Sequence, residues 1–150
     1  MPIISQKDQD ALKERFKREL KKDVTITLFT QRTAGLTIPG RECRYCDDTQ
    51  KLMEDLTALS PKLYLEVKDF YASTEEARDS GVERIPAMIF AANGPNNVRF
   101  FGIPLGMEFA TILEDLITLS RGVNPLALQT RKKLKRIQED VHIQVFVTPT

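Results

Sequence analysis

The chain has 150 residues, 41% of them hydrophobic, and its 22 basic and 21 acidic residues give a formal net charge of +1. This length suits one domain with additional elements, and the balanced charge argues against nucleic acid or a membrane surface as a general partner. No apolar run approaches the roughly 20 residues that a membrane-spanning helix needs. The N-terminal stretch 1–8 lacks the basic start and apolar core of a secretory signal, so we expect a cytoplasmic protein.

The first half of the chain is typical of a helix followed by a β–α–β unit. Ser5 and Asp8 match a capping box before apolar residues at helical spacing. The β-branched stretch after Asp23 and the loop-forming Pro39 and Gly40 indicate a strand and then a connection. The predicted elements are, in order, a helix over about 5–21, a strand over 24–30, a loop over 31–42, a helix over about 43–59 and a strand over 62–70.

The second half of the chain predicts a short helix, a β-hairpin and two further helices. Ser73 and Glu76 match another capping box, and Asn124-Pro125 is typical of a helix start. The predicted elements are a helix from Ser73 to Gly81, strands over 85–91 and 98–101 around a turn at 93–97, a helix over 105–120, and a last helix to about Glu139. The β–α–β part must be parallel and the hairpin antiparallel, which predicts an α/β fold with a four-stranded mixed sheet flanked by helices.

One segment of the chain repeats late in the sequence. The stretch 23–30 resembles 140–148, and each follows a helix with a Lys/Arg-rich end. We interpret the second copy as the first strand of a truncated second domain, since a lone strand cannot be a stable domain. The alternative is a C-terminal strand added to the first sheet. The predicted division is therefore a redox domain over 1–122 and a linker helix with a first strand over 123–150.

The two cysteines of the chain, Cys43 and Cys46, lie three positions apart. A bridge between them would close a very small loop and restrain little of the unfolded chain, so the pair is better explained by chemistry than by stability. At the start of a helix, the positive end of the dipole and the nearby Arg44 would favour the Cys43 thiolate and lower the pKa from about 8.5. Cys46, one turn further on, could attack a mixed disulfide formed at Cys43.

Two other interpretations of the cysteine pair remain open at this point. A zinc site needs about four ligands, and the chain offers two cysteines and the distant His142. The pair could also be an incidental feature of the surface. Redox exchange is favoured over both, because the pair follows a predicted strand and precedes a predicted helix. We expect no metal and no organic cofactor.

A second signal lies at Ile85-Pro86, where a proline opens a predicted strand. Proline cannot donate to a strand ladder, and its ordinary explanation is a trans proline on an edge strand. Together with the upstream cysteine pair, however, Pro86 becomes a candidate cis proline facing the sulfurs. The backbone around Ile85 would then be free to pair with an extended substrate segment.

These residues resemble the thioredoxin fold, and more narrowly the two-domain protein disulfide oxidoreductases, also called glutaredoxin-like proteins, of thermophilic prokaryotes. The resemblance depends on four stretches of the chain: 43–47, 81–86, 101–106 and 141–150. It covers the whole chain but only the N-terminal half of the family's architecture. A neighbouring family, the N-terminal module of the flavoprotein reductase that serves peroxiredoxin, fits less well because its first thioredoxin unit lacks the cysteine pair.

The resemblance implies thiol–disulfide exchange on protein substrates, with Cys43 as nucleophile, Cys46 as resolving thiol and Pro86 as the cis proline beside them. Ile85, Arg44 and Tyr45 are the other candidate substrate-positioning residues. The resemblance also implies a second thioredoxin-like domain as partner in a full-length chain, and it allows an electron donor of the thioredoxin-reductase type. The stretch 25–30 offers no carboxylate to match the buried acid that relays protons in thioredoxins.

Two other function classes stay open beside this enzyme. The chain could be a non-enzymatic thioredoxin-like module that docks on a partner domain, or a glutaredoxin that depends on glutathione.

The basic run 131–136 is interpreted as a solvated helix face, because no aromatic residues interleave with it.

Overall fold

The structure is a computed structural model that describes residues 3–31, 39–92 and 98–146. It contains five helices and four strands in those ranges. The helices are α1 (Gln6–Glu19), α2 (Cys46–Thr57), α3 (Thr74–Asp79), α4 (Met107–Arg121) and α5 (Leu128–Leu134), and the strands are β1 (Val24–Thr30), β2 (Leu63–Asp69), β3 (Ala87–Ala91) and β4 (Val98–Phe101).

The four strands form one mixed sheet in the order β2-β1-β3-β4. Strand β1 is parallel to β2 and antiparallel to β3, and β3 is antiparallel to β4. The register brings the ends of β1, β2 and β4 and the start of β3 to one edge of the sheet. This edge, which we call the site edge, carries Thr30, Asp69, Ala87 and Phe101. The predicted α/β fold with a four-stranded mixed sheet is confirmed.

Side chains alternate between the two faces of β1, and each face has its own core. Val24, Ile26 and Leu28 point to the face covered by α1, α2 and α4 and are fully buried there. Phe29 points to the other face, where α3 contributes Ala77. Apolar residues of α2 and α4, such as Leu56 and Leu116, belong to this first core. Helix α2 therefore packs directly on the strand that precedes the cysteine pair.

A buried serine ties the turn after α1 to the end of α4. The Ser120 hydroxyl accepts hydrogen bonds from the backbone N–H groups of Lys21 (2.8 Å) and Lys22 (3.0 Å) and donates to the Lys22 carbonyl (2.5 Å). At the other end of α1, the predicted cap is formed, because the Ser5 hydroxyl accepts from the backbone N–H of Asp8. The added N-terminal helix is thus capped at its start and tied to α4 at its end.

Several predicted boundaries are wrong by a few residues. Helix α2 begins at Cys46 rather than Cys43, because its first i→i−4 hydrogen bond runs from the Thr49 N–H to the Tyr45 carbonyl. The predicted capping box at Ser73 is not formed, since the Ser73 side chain makes no cap bond and Glu76 pairs with Lys68. Helix α4 begins two residues later than predicted, and β3 starts at Ala87 rather than Ile85.

The C-terminal segment differs most from its prediction. Helix α5 is shorter than predicted, because the Asn124 side chain accepts from the Leu126 N–H in a separate turn and nothing packs on the helix. Every residue of 121–146 is exposed, and 141–146 forms no strand. A strand needs a neighbour for its hydrogen bonds, and these residues have not joined the sheet. The rest of the predicted strand, the turn at 93–97 and the loop stretch 32–38 lie outside the described residues.

Candidate active site

The two cysteines form a disulfide with an S–S distance of 2.01 Å and a Cα–Cα distance of 5.5 Å. Cys43 is partly exposed, whereas Cys46 is only 2% exposed as the first residue of α2. A substrate would therefore reach the Cys43 sulfur first. This asymmetry suits an attacking thiol at Cys43 and a resolving thiol at Cys46.

The disulfide lies at the N-terminal end of α2, where backbone N–H groups give the helix its positive end. The N-cap residue Tyr45 provides no side-chain hydrogen bond to the first turn. Instead, the Tyr45 carbonyl accepts from both the hydroxyl (2.6 Å) and the backbone N–H (2.9 Å) of the buried Thr49. Asp47 and Asp48 in the first turn add negative charge that favours the helix and opposes a thiolate. The dipole and these carboxylates thus act in opposite directions on a reduced Cys43.

A pocket of about 510 Å³ opens beside the disulfide. It is lined by both cysteines, by Gln31 and by charged residues of both signs, namely Arg41, Glu42, Arg44 and Asp47. Arg44 is exposed, and its guanidinium lies 5.4 Å from the centre of the Tyr45 ring, which is 43% exposed. Of the predicted substrate-positioning residues, Arg44 therefore lines the pocket, and Tyr45 lies beside Arg44.

The Ile85–Pro86 peptide bond is cis, as the sequence predicts. Pro86 is buried and directly precedes β3, so it lies at the site edge together with Thr30. Its carbonyl accepts a hydrogen bond from the N–H of Gly102 (2.8 Å), a residue whose φ of 101° is favoured by glycine. Within the described ranges the backbone N–H and carbonyl of Ile85 have no hydrogen-bond partner. These two groups are available to an extended peptide.

Sequence reasoning missed three residues near this site. Thr30, the last residue of β1, is fully buried, and its hydroxyl has no hydrogen-bond partner among the described residues. Because Thr30 is two residues after Leu28 in the strand, its side chain shares the Leu28 face, which α2 covers. Arg41 lies over the Tyr71 ring at 4.4 Å from its centre. The spacing of Arg41, two residues before Cys43, is a signal that could have indicated it, but Tyr71 joins the site only through the sheet topology.

Within 3–31, 39–92 and 98–146 no helix is long and apolar enough to cross a membrane. The same ranges contain no group of three or more histidine, cysteine, aspartate or glutamate side chains that could hold a metal ion.

Comparison with solved structures identifies several thioredoxin-fold proteins. A protein disulfide oxidoreductase from Aeropyrum pernix superposes with a TM-score of 0.72 at 26% identity, over 87% of this chain and 54% of that one. The NTD_N/C domain of the alkylhydroperoxide reductase AhpF from Enterococcus faecalis gives a TM-score of 0.72 at 19% identity, over 87% of this chain and 59% of that one. A thioredoxin from Halobacterium salinarum gives a TM-score of 0.50 at 19% identity, over 81% of this chain and 89% of that one.

These similarities show that the chain has a thioredoxin-like fold, and they confirm its resemblance to thioredoxin-fold protein disulfide oxidoreductases. Together with the Cys43–Cys46 pair, they support thiol–disulfide oxidoreductase chemistry in general. The chain spans little more than half the length of the first two of these structures. No protein-family model and no curated protein sequence matches the chain.

Proposed function

We propose that this protein is a protein disulfide oxidoreductase that exchanges disulfides with polypeptide substrates through Cys43 and Cys46. The observation that carries the proposal is the pairing of an accessible and a buried sulfur at a helix N-terminus with an open peptide backbone at Ile85. Substrate backbone bonds to Ile85 would hold an extended segment at the site edge, where the Cys43 sulfur is accessible.

In the reductive direction the reduced Cys43 thiolate attacks one sulfur of a substrate disulfide. The substrate S–S bond breaks, a Cys43–substrate disulfide forms, and the first substrate sulfur leaves as a thiolate. The Cys46 thiolate then attacks the Cys43 sulfur and releases the second substrate thiolate. The substrate has gained two electrons, and the protein is left with the Cys43–Cys46 disulfide that the structure contains. Oxidation of a substrate dithiol follows the same steps in reverse.

The neighbouring residues have supporting roles in this proposal. Pro86 shapes the backbone that presents Ile85, and Arg44 and Tyr45 contact the substrate beside Cys43. The exchange needs no metal or organic cofactor, because the two sulfurs carry both electrons. The cytoplasmic location remains a prediction from the amino-acid sequence.

A larger protein around this domain is part of the proposal. The exposed apolar residues of the C-terminal segment, including Ile143 (79%) and Val145 (78%), suit the start of a second thioredoxin-like domain that would cover them. We accordingly propose that residues 1–122 form the redox domain and that residues 123–150 form a linker helix and the first strand of the second domain. An electron donor of the thioredoxin-reductase type would return the Cys43–Cys46 disulfide to the dithiol.

Substrate trapping tests the proposed function directly. Cys46→Ser should accumulate a mixed disulfide at Cys43 with a model substrate such as insulin, seen as a mass increase that dithiothreitol removes. Cys43→Ser is the matched control and should trap far less, because Cys46 is buried. If Cys46→Ser traps nothing and the wild type reduces no protein disulfide, the proposed function is wrong.

The two rival classes predict different results. A non-enzymatic docking module would show no exchange activity with or without residues 140–150, whereas an autonomous enzyme should keep its activity after their removal. A glutathione-dependent glutaredoxin would instead form a mixed disulfide with glutathione, which mass spectrometry would detect.

A further inference from the structure

Two arginines at the site edge lie over aromatic rings. Arg41 lies 4.4 Å from the centre of the Tyr71 ring, and Arg84 lies 5.1 Å from the centre of the Phe101 ring. Tyr71 is itself braced by Phe70, whose ring meets it edge to face at 5.3 Å. A guanidinium over a ring is attracted by the π-face of that ring, and its N–H groups can still bind a carboxylate.

The sheet order separates the rings under these two arginines by the width of the sheet. Tyr71 follows β2, and Phe101 is the last residue of β4, so the rings mark the two outer strands at the site edge. Strand β1, which leads to Cys43, and the Ile85–Pro86 backbone before β3 lie between them. Adjacent strands are about 4.8 Å apart, so the three strand spacings cover roughly 14 Å.

Both arginines lack an acidic partner within the described ranges. Other arginines of the chain do have one: Arg15 and Arg121 both pair with Glu19, at 3.3 and 3.0 Å. For Arg41 and Arg84 the structure shows the aromatic contact and no carboxylate within ion-pair distance. Both side chains belong to exposed residues, so within the described ranges the site edge offers two cations that form no direct ion pair.

We infer that the preferred substrates are polypeptide segments with acidic side chains on both sides of the reactive cysteine. This inference rests on the proposed function and specifies its substrate class. In this proposal the extended peptide, held by the Ile85 backbone, lies across the strand ends at the site edge; at about 3.3 Å per residue, about four residues cover the distance between the outer strands. Carboxylates within about three residues of the substrate cysteine would then reach Arg41 on one side and Arg84 on the other, in charge-assisted hydrogen bonds.

The net charge of the pocket is not the source of this preference. Glu42 and Asp47 line the pocket together with Arg41 and Arg44, so the signs cancel there. The preference depends instead on the positions of the Arg41 and Arg84 guanidinium groups over their aromatic rings. Because both arginines are exposed, we expect a modest discrimination that salt reduces.

The experiment compares three peptide disulfides of equal length that carry Glu, Gln or Lys two residues before and two residues after the cysteine. With the fully reduced wild type in a single turnover at low salt, the second-order rate constant for peptide reduction should fall in the order Glu, Gln, Lys, with about three- to tenfold between Glu and Lys. The same ratio should shrink toward one in 0.5 M NaCl. Arg41→Gln combined with Arg84→Gln should remove most of the difference between the Glu and Lys peptides.

Two controls separate this inference from general charge effects and from the proposed function. Arg131→Gln removes an exposed arginine of α5 and should leave the wild-type order of peptides intact. Equal rates for all three peptides with the wild type, or an unchanged order in the double variant, would overturn the inference while the exchange activity stands. If the wild type reduces none of the peptides, the proposed function fails and this inference fails with it.

Discussion

The unpaired hydroxyl of Thr30 makes a sharp prediction about stability. The side chain is fully buried at the end of β1, and its hydroxyl oxygen has no partner among the described residues. A buried hydroxyl without a hydrogen bond costs about 1–3 kcal/mol, and valine replaces it with a methyl group of similar shape. Valine is also β-branched and suits a strand. We therefore expect Thr30→Val to raise the free energy of unfolding by about 1 kcal/mol or more.

Urea denaturation of the oxidised protein, followed by circular dichroism, measures this change. In a protein of this size about 1 kcal/mol corresponds to a rise in Tm of roughly 3 °C. Thr25→Val is the matched control, because Thr25 lies on the same strand but is only partly buried. Its change in free energy of unfolding should be near zero.

The opposite sign for Thr30→Val would refute the reasoning. A loss of about 1 kcal/mol or more, with an unchanged m-value, would show that the hydroxyl has a partner such as a buried water. Thr30 points to the face covered by α2. If Thr30→Val, with both cysteines retained, accumulated the mixed disulfide at Cys43, that partner would act on Cys46.

Two further predictions concern α4. Ser120→Ala should lower the free energy of unfolding by about 1 kcal/mol, because it removes the buried hydroxyl that accepts from the Lys21 N–H and donates to the Lys22 carbonyl; the exposed Thr118→Ala should be near neutral, and denaturant titration of both compares them. Burial, and to a lesser degree the nearby Glu114, raises the pKa of Asp115 above its usual 3.8, so the ionised carboxylate destabilises the fold above its folded pKa. Asp115→Asn should therefore be more stable than the wild type at pH 7, and this advantage should fade as the pH drops below the ordinary carboxyl range; an advantage independent of pH would contradict it.

The sheet and the cysteine site follow from local patterns in the sequence. The β-branched stretch of β1 and the apolar spacing of α2 are strong signals, and the parallel connection between β1 and β2 follows from a general rule of handedness. The position of Cys43 after β1 could therefore be predicted. The start of α2 could not, because Tyr45 caps the helix with its backbone alone and no capping side chain marks the boundary.

The remaining site residues depend on contacts that no local pattern contains. Thr30 looks like any other threonine of a β-branched strand, and only its burial beneath α2 makes its hydroxyl notable. Arg41 and Tyr71 are brought together because β1 and β2 end at the same edge of the sheet. The C-terminal segment shows the opposite case: the alternation after Asp140 is a clear strand signal, but a strand also needs a neighbour.

The exposed C-terminal segment has a consequence for how the chain would be degraded. Residues 123–146 bury no side chain against the domain, and only α5 gives them regular structure. A protease acts on chain that can enter its active site in extended form, and the seven residues of α5 are too few to resist unwinding alone. Cleavage should therefore begin in this segment and separate it from the domain that contains the Cys43–Cys46 pair.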